Sequence, residues 1–205
     1  MSSLLDTAKA AGWKKSLTMV IAFAFGAFHL YATVTGRVNA TQLREIHLLF
    51  AMTLLLLTKP ASAKNPDSLL GKIWTVVVAV CSVGSLGYLI LNYSTLIVKM
   101  PYSSKLTALQ YALVVVLVLS LLECTRRAMG LAVPIVASAA ILYILFGQHI
   151  GGTFGHKGFT YKEMAYLFGY TTDGIFGTAL GTSATFVILF VIFGAFLEQA
   201  GVSQY

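Results

Sequence analysis

Gly71-Lys-Ile-Trp-Thr-Val-Val-Val-Ala-Val-Cys-Ser-Val-Gly-Ser-Leu-Gly-Tyr-Leu-Ile-Leu-Asn-Tyr93 carries one charge, Lys72, near its start and none after it. Its centre, Val76-Val-Val-Ala-Val80, would favour a strand in a half-buried aqueous sheet. The length decides otherwise. A bilayer core about 30 Å thick is crossed by about 20 apolar helical residues, and backbone amides in hydrocarbon must be satisfied within their own segment. Val114-Val-Val-Leu-Val118 is read as helix for the same reason.

The rest of the chain follows this pattern. With 58% hydrophobic and 10% charged residues and a mean hydropathy of +0.82, the composition lies far from that of soluble domains. The 205 residues leave room for about six passes and little else. Candidate spans fall at about 16–35, 42–58, 71–93, 107–123, 130–147 and 178–197. The expected fold is all-α and polytopic, with six membrane spans and one short interfacial helix. The second span is short, and it borrows a turn containing Arg44 and Glu45, whose long side chains are expected to snorkel to the headgroups.

Counting Lys and Arg on alternate sides places Lys9, Lys14, Lys15, Lys59, Lys64, Lys72, Arg126 and Arg127 on the side of the N-terminus. Arg37, Arg44, Lys99, Lys105, Lys157 and Lys162 fall on the other. The positive-inside rule then puts the N-terminus in the cytoplasm. The first apolar run is too long for a cleaved signal peptide and reads as an anchor. The net charge of +7 fits contact with anionic membrane lipid rather than nucleic acid, because no loop has more than two adjacent basic residues. Cys81 and Cys124 fall at different depths, so no disulfide is expected between them.

The longest extramembrane stretch, Gln148 to Gly177, contains Thr160-x-x-Glu163 at capping-box spacing. Tyr161, Met164, Ala165 and Phe168 then recur at helical intervals, which predicts a short amphipathic helix along the interface. Thr171-Thr-Asp-Gly174 ends it, and Gly177 and Gly181 open the last span flexibly or admit a close helix approach.

The sequence has no phosphate loop, zinc spacing or nucleophile elbow, so no enzyme activity and no bound cofactor are expected. His29 and His47 are weighed as haem ligands against interfacial or helix-packing hydrogen bonds, and the hydrogen bonds are preferred. No Asp, Glu, Lys or Arg stands mid-span. Glu45, Glu123 and Glu198 sit at span ends, and Arg126 and Arg127 follow Glu123 at ion-pair spacing. Ser82, Ser85, Asn92, Ser120, Ser138, Thr182, Ser183 and Thr185 are expected to bond across helices. Gly84 and Gly87 with Ser82, and Ala22 with Gly26, are read as close-approach patches. Pro134 either starts or kinks its helix.

Three landmarks carry a resemblance. Arg44-Glu-Ile-His-Leu48 leads into a Leu-rich run ending at Lys59-Pro60. Leu121-Leu-Glu-Cys-Thr-Arg-Arg-x-x-Gly130 precedes Pro134. Gly174-Ile-Phe-Gly177 leads through Ser183-Ala-Thr185 to Phe193-Gly-Ala-Phe-Leu-Glu198. Together they resemble the opening of fused membrane permeases of the tripartite ATP-independent periplasmic (TRAP) transporters, in the TAXI-associated branch.

The resemblance implies a bacterial inner-membrane permease that receives a small solute, typically an organic anion, from a periplasmic binding protein and imports it with sodium (Na+). Residues 1–125 would correspond to the small, Q-type component and 126–205 to the start of the large, M-type component. The remaining large-permease helices would come from the same or a separate chain. The family's sodium- and substrate-binding re-entrant tips have no counterpart here, so no such site is carried over, and the chain reads as scaffold and anchor. The ending at Tyr205 reads as a truncated or split permease. Arg44, His47, Glu123, Arg126 and Arg127 are expected to be structural or interface residues, and Gly174, Gly177, Gly194 and Glu198 are motif positions without an assigned role. A different reading is a non-transporting membrane subunit that organises a partner permease.

Overall fold

The computed structural model describes residues 2–62, 65–98 and 102–201, without the side chains of residues 2–11 and of Ile97. Lys64, Lys99 and the side chain of Lys9, all part of the charge count, lie outside the described residues. No strand occurs among the described residues. The helices are α1 (Ser2–Thr35), α2 (Ala40–Thr58), α3 (Leu69–Leu91), the short α4 (Tyr93–Ile97), α5 (Ala108–Met129), α6 (Ala132–Phe146), the short α7 (Tyr161–Ala165) and α8 (Thr178–Gln199). Six are long and apolar enough to cross a membrane: α1 from Gly12, α2, α3, α5, α6 with its following turn, and α8. The expected all-α, six-span fold is present.

Local chemistry sets the helix boundaries. Asn39 caps α2, its side chain accepting from the Gln42 amide at 2.9 Å. Thr107 and Gln110 form a reciprocal capping box at the start of α5, satisfying two amides that the helix itself cannot. Gly130, at φ +83°, ends α5 in a conformation that residues with a Cβ rarely adopt. Pro134 is the third residue of α6, where its missing N–H is one of the first-turn amides that lack a partner in any helix. It starts the helix and does not kink it.

Helices α2, α3 and α5 form the centre, packed through Leu48, Met52, Leu56, Val78, Leu86 and Leu117. Helices α1 and α8 lie against each other and against α2, while α6 lies against α5. The outward faces are apolar, with Phe23, Val80, Leu119, Val136 and Phe190 all exposed, as hydrocarbon solvent requires. Helix α8 is interrupted by a π turn at Ser183–Val187.

The loop contacts fix the two ends of the bundle. Arg126 and Arg127, at the end of α5, reach the carbonyls of Ala61 and Lys59 just after α2. At the opposite end Thr41 shares a cavity with Thr171, Thr172 and Asp173. The 19 residues of α2 therefore run from one end of the bundle to the other, about 28 Å at 1.5 Å per residue, so the short second span is long enough to cross.

The stretch from 148 to 177 folds over one end of the bundle. Its capping box at Thr160 and Glu163 forms as expected, but α7 gives way to a π turn at Tyr166–Tyr170. Met164, Ala165 and Tyr166 are buried, packed toward α5. The Tyr166 hydroxyl donates to Ser104 O at 3.0 Å and that of Tyr170 to Gln110 O at 3.1 Å. Gly169 sits so close to Val114 that no Cβ fits between them. The amphipathic helix is thus a cap held by protein contacts as much as an interfacial element.

Candidate functional site: a polar interior in three stations

The first station corrects an expectation. Arg44 and Glu45 do not snorkel; Glu45 is only 4% exposed, and Arg44 turns inward to donate from Nη1 to the carbonyl of Phe176 at 2.7 Å. The cause is the cap. The stretch that ends in Gly174-Ile-Phe-Gly177 lies over this end of α2 and replaces the headgroup region with protein. The guanidinium rests on Gly181, where an added Cβ would stand 2.9 Å from its Cζ, Nε and Nη2 atoms. Gly181 is therefore a close-approach glycine, one of the two roles expected of it. Arg44 Nε is buried without a hydrogen-bond partner among the described residues.

One turn further along α2, His47 forms the second station. His29 Nδ1 lies 2.9 Å from Phe25 O, His47 Nδ1 lies 3.0 Å from His29 Nε2, and His47 Nε2 lies 3.1 Å from Ser183 Oγ. A carbonyl only accepts, so the proton positions follow in order. His29 donates to Phe25 O, His47 donates to His29, and Ser183 donates to His47. Each ring carries one N–H, and all four imidazole nitrogens are used. The rings pack edge-on, their centroids 5.0 Å apart, beside Phe25 and Phe28. Helix-packing hydrogen bonds, one of the two expected roles, join α1, α2 and α8 here.

The third station lies at the opposite end, on Glu123. Its Oε1 accepts from Trp74 Nε1, Arg126 Nη2 and Arg127 Nε, and its Oε2 from Arg126 Nε, at 2.7 to 3.1 Å. Arg127, whose side chain is fully buried, also donates to Thr75 Oγ1 at 2.9 Å. The expected ion pairs at i,i+3 and i,i+4 are both present. They extend beyond α5 to hold α3 and the loop after α2.

A cavity of about 300 Å³ opens beside the first station. Glu45, Thr41, Tyr93, Tyr170, Asp173 and Phe176 are among its walls. Glu45 Oε2 is buried with no hydrogen-bond partner among the described residues. Burial pushes the Tyr170 phenol well above its ordinary range, which keeps it a proton donor. Among the described residues no basic side chain lines the cavity. Sequence reasoning missed this site because Glu45 looked interfacial, and nothing local announces the strap that covers it.

The remaining motif positions separate by environment. Gly177 donates its amide to Gly174 O at 3.0 Å, and a Cβ on Gly177 would stand 2.8 Å from that same oxygen. A Cβ on Gly174 would run into the backbone of Leu167. Both glycines serve a tight turn. Gly194 faces open space, and Glu198 is exposed with no partner among the described residues. These two are not brought to any of the three stations.

Most mid-span polar residues do not bond across helices. Ser82, Ser85, Asn92 and Thr185 donate to carbonyls four residues back on their own helices, acceptors that are always within reach. Of the expected group, Ser183 makes the interhelical bond. Gly84 and Gly87 meet nothing within 4 Å, whereas Gly26 faces Ile192 of α8. Cys81 and Cys124 are both free thiols. No protein-family model, no curated protein and no solved structure matches this chain.

Proposed function

We propose that this chain is the membrane scaffold of a TRAP-type secondary transporter, a component that anchors a sodium-coupled permease for a small organic anion delivered by a periplasmic binding protein. One observation carries the reading. Arg44 of the first resemblance landmark donates to the Phe176 carbonyl of the third at 2.7 Å. In this reading the bond clasps a Q-type-like region, 1–125, to an M-type-like region, 126–205, through motif residues, as a fused scaffold would need.

In this reading the clasped bundle is the fixed body against which the remaining permease helices move. Those helices would lie along α8, where Phe186, Phe190, Phe193 and Phe196 are all exposed. The end carrying the 148–177 stretch would face the periplasm and receive the binding protein through Lys157 and Lys162. Lys162 already ties α7 to the Ser103 carbonyl at 2.8 Å.

The test is uptake into proteoliposomes holding the full native permease, with a library of small carboxylates as solutes. The expected result is uptake that needs both the binding protein and an inward sodium gradient, and that weakens at limiting binding protein in the Lys157→Glu/Lys162→Glu variant. Uptake indifferent to both requirements would refute the transport reading, and unchanged uptake in the double variant would refute the docking face. An immunoblot of source membranes shows whether the missing helices belong to one long product or to a separate chain.

A further inference from the structure

We infer that the Glu45 cavity is a binding site for a small organic cation, a primary ammonium carried on a compact apolar or aromatic body. The inference stands apart from the transport reading, whose solute is anionic and whose site lies elsewhere.

Glu45 is 4% exposed and its Oε2 has no hydrogen-bond partner among the described residues. A buried carboxylate without a partner is costly, and a cation brought to it removes that cost. The nearest cation in sequence, Arg44, does not supply the countercharge. It is turned to Phe176 O and Gly181, and among the described residues neither it nor any other basic side chain lines the cavity.

The walls identify the kind of cation. Thr41 precedes Glu45 by one helical turn and brings a hydroxyl to the same face of α2. An ammonium has three donors, which a carboxylate and neighbouring hydroxyls can accept. Tyr93, Tyr170 and Phe176 supply aromatic surface of the kind that attracts organic cations. Asp173 is exposed at the rim and adds a second negative charge at the entrance. Its contact with the Tyr102 hydroxyl is long, at 3.4 Å.

Size and ligand count argue against a bare metal ion. The volume, about 300 Å³, falls at the lower end of small-molecule pockets. No group of three or more His, Cys, Asp or Glu side chains suited to a metal occurs among the described residues. A single deep carboxylate within mixed apolar and hydroxyl walls suits one ammonium head on a small body.

The test is equilibrium dialysis of the full chain in lipid nanodiscs against three ligands of nearly the same shape: benzylamine as the cation, benzyl alcohol as the neutral form and benzoate as the anion. The expected result is saturable binding of benzylamine at one per chain, with neither of the others bound. Glu45→Gln should weaken it at least tenfold and Asp173→Asn severalfold. Leu96→Trp, which fills the cavity and leaves Glu45 in place, should abolish it and keeps the test decisive if the Glu45 variant does not fold. No saturable binding, equal binding of benzyl alcohol, or wild-type affinity in a folded Glu45→Gln or Leu96→Trp protein would overturn the proposal.

Discussion

His47 donates a hydrogen bond from Nδ1 to His29 Nε2 at 3.0 Å inside the bundle, so the orientation of each ring is set by the other. His47→Phe would leave His29 Nε2 buried without a donor and Ser183 without its acceptor. The expected loss is about 1–3 kcal/mol. His29→Phe/His47→Phe together should cost less than the sum of the single changes, because the pair is removed as a unit. Thermal unfolding of the four proteins in one detergent gives the coupling energy, and strict additivity would show that the imidazoles act separately.

At the other end, Glu123→Ala would leave the fully buried Arg127 side chain with no anion. Removing one partner of a buried ion pair costs about 3–5 kcal/mol. Glu123→Gln, which can still accept from Trp74, should fall between the wild type and Ala. Amide exchange should rise at Lys59 and Ala61, whose carbonyls the two arginines hold. Unchanged exchange there would mean that the loop is held by other contacts.

The glycines of α8 should respond in opposite ways. Gly181→Ala pushes on the Arg44 guanidinium and loosens its bond to Phe176 O, so unfolding should become easier. Gly194→Ala meets open space and, by helix propensity, should be neutral or stabilising by up to about 1 kcal/mol. Comparison of the two melting temperatures decides the matter.

Glu163 offers a pH test outside the spans. The Thr160 amide, and then the Thr160 hydroxyl, donate to its carboxylate and hold it below the usual carboxylate range. A depressed folded pKa means that the cap's contribution is fully present above the ordinary value of 4.5 and is lost as pH falls through the lowered one. The Thr160 amide resonance should therefore shift at a pH below 4.5 in the wild type and not in Glu163→Gln. A midpoint at or above 4.5 would mean that the cap does not act on the carboxylate.

How much the sequence disclosed depended on whether the physics was local. Hydrocarbon forces each apolar run to close its own hydrogen bonds, so the spans were legible from length alone. Glu123 with Arg126 and Arg127 was legible because a helix places those positions side by side. The fate of Glu45 was not, since it depends on the strap containing Phe176, more than a hundred residues away, covering that end of α2. The serines misled in the other direction. Their own-helix carbonyls satisfy them without help from a neighbour, and a sequence does not show which hydroxyl will leave that bond for an imidazole.

The π turn at Ser183–Val187 acts as a phase shifter. One extra residue in a helical turn rotates everything beyond it by about 100°. Ahead of the shift, Gly181 accommodates Arg44, and at its first residue Ser183 meets His47. Beyond it, Phe190, Phe193 and Phe196 face outward. Deleting a single residue in this turn would leave a helix still long and apolar enough to span, yet swing the aromatic ridge around the axis and away from whatever it is aimed at. The address of the outer face of α8 is thus written in one surplus residue.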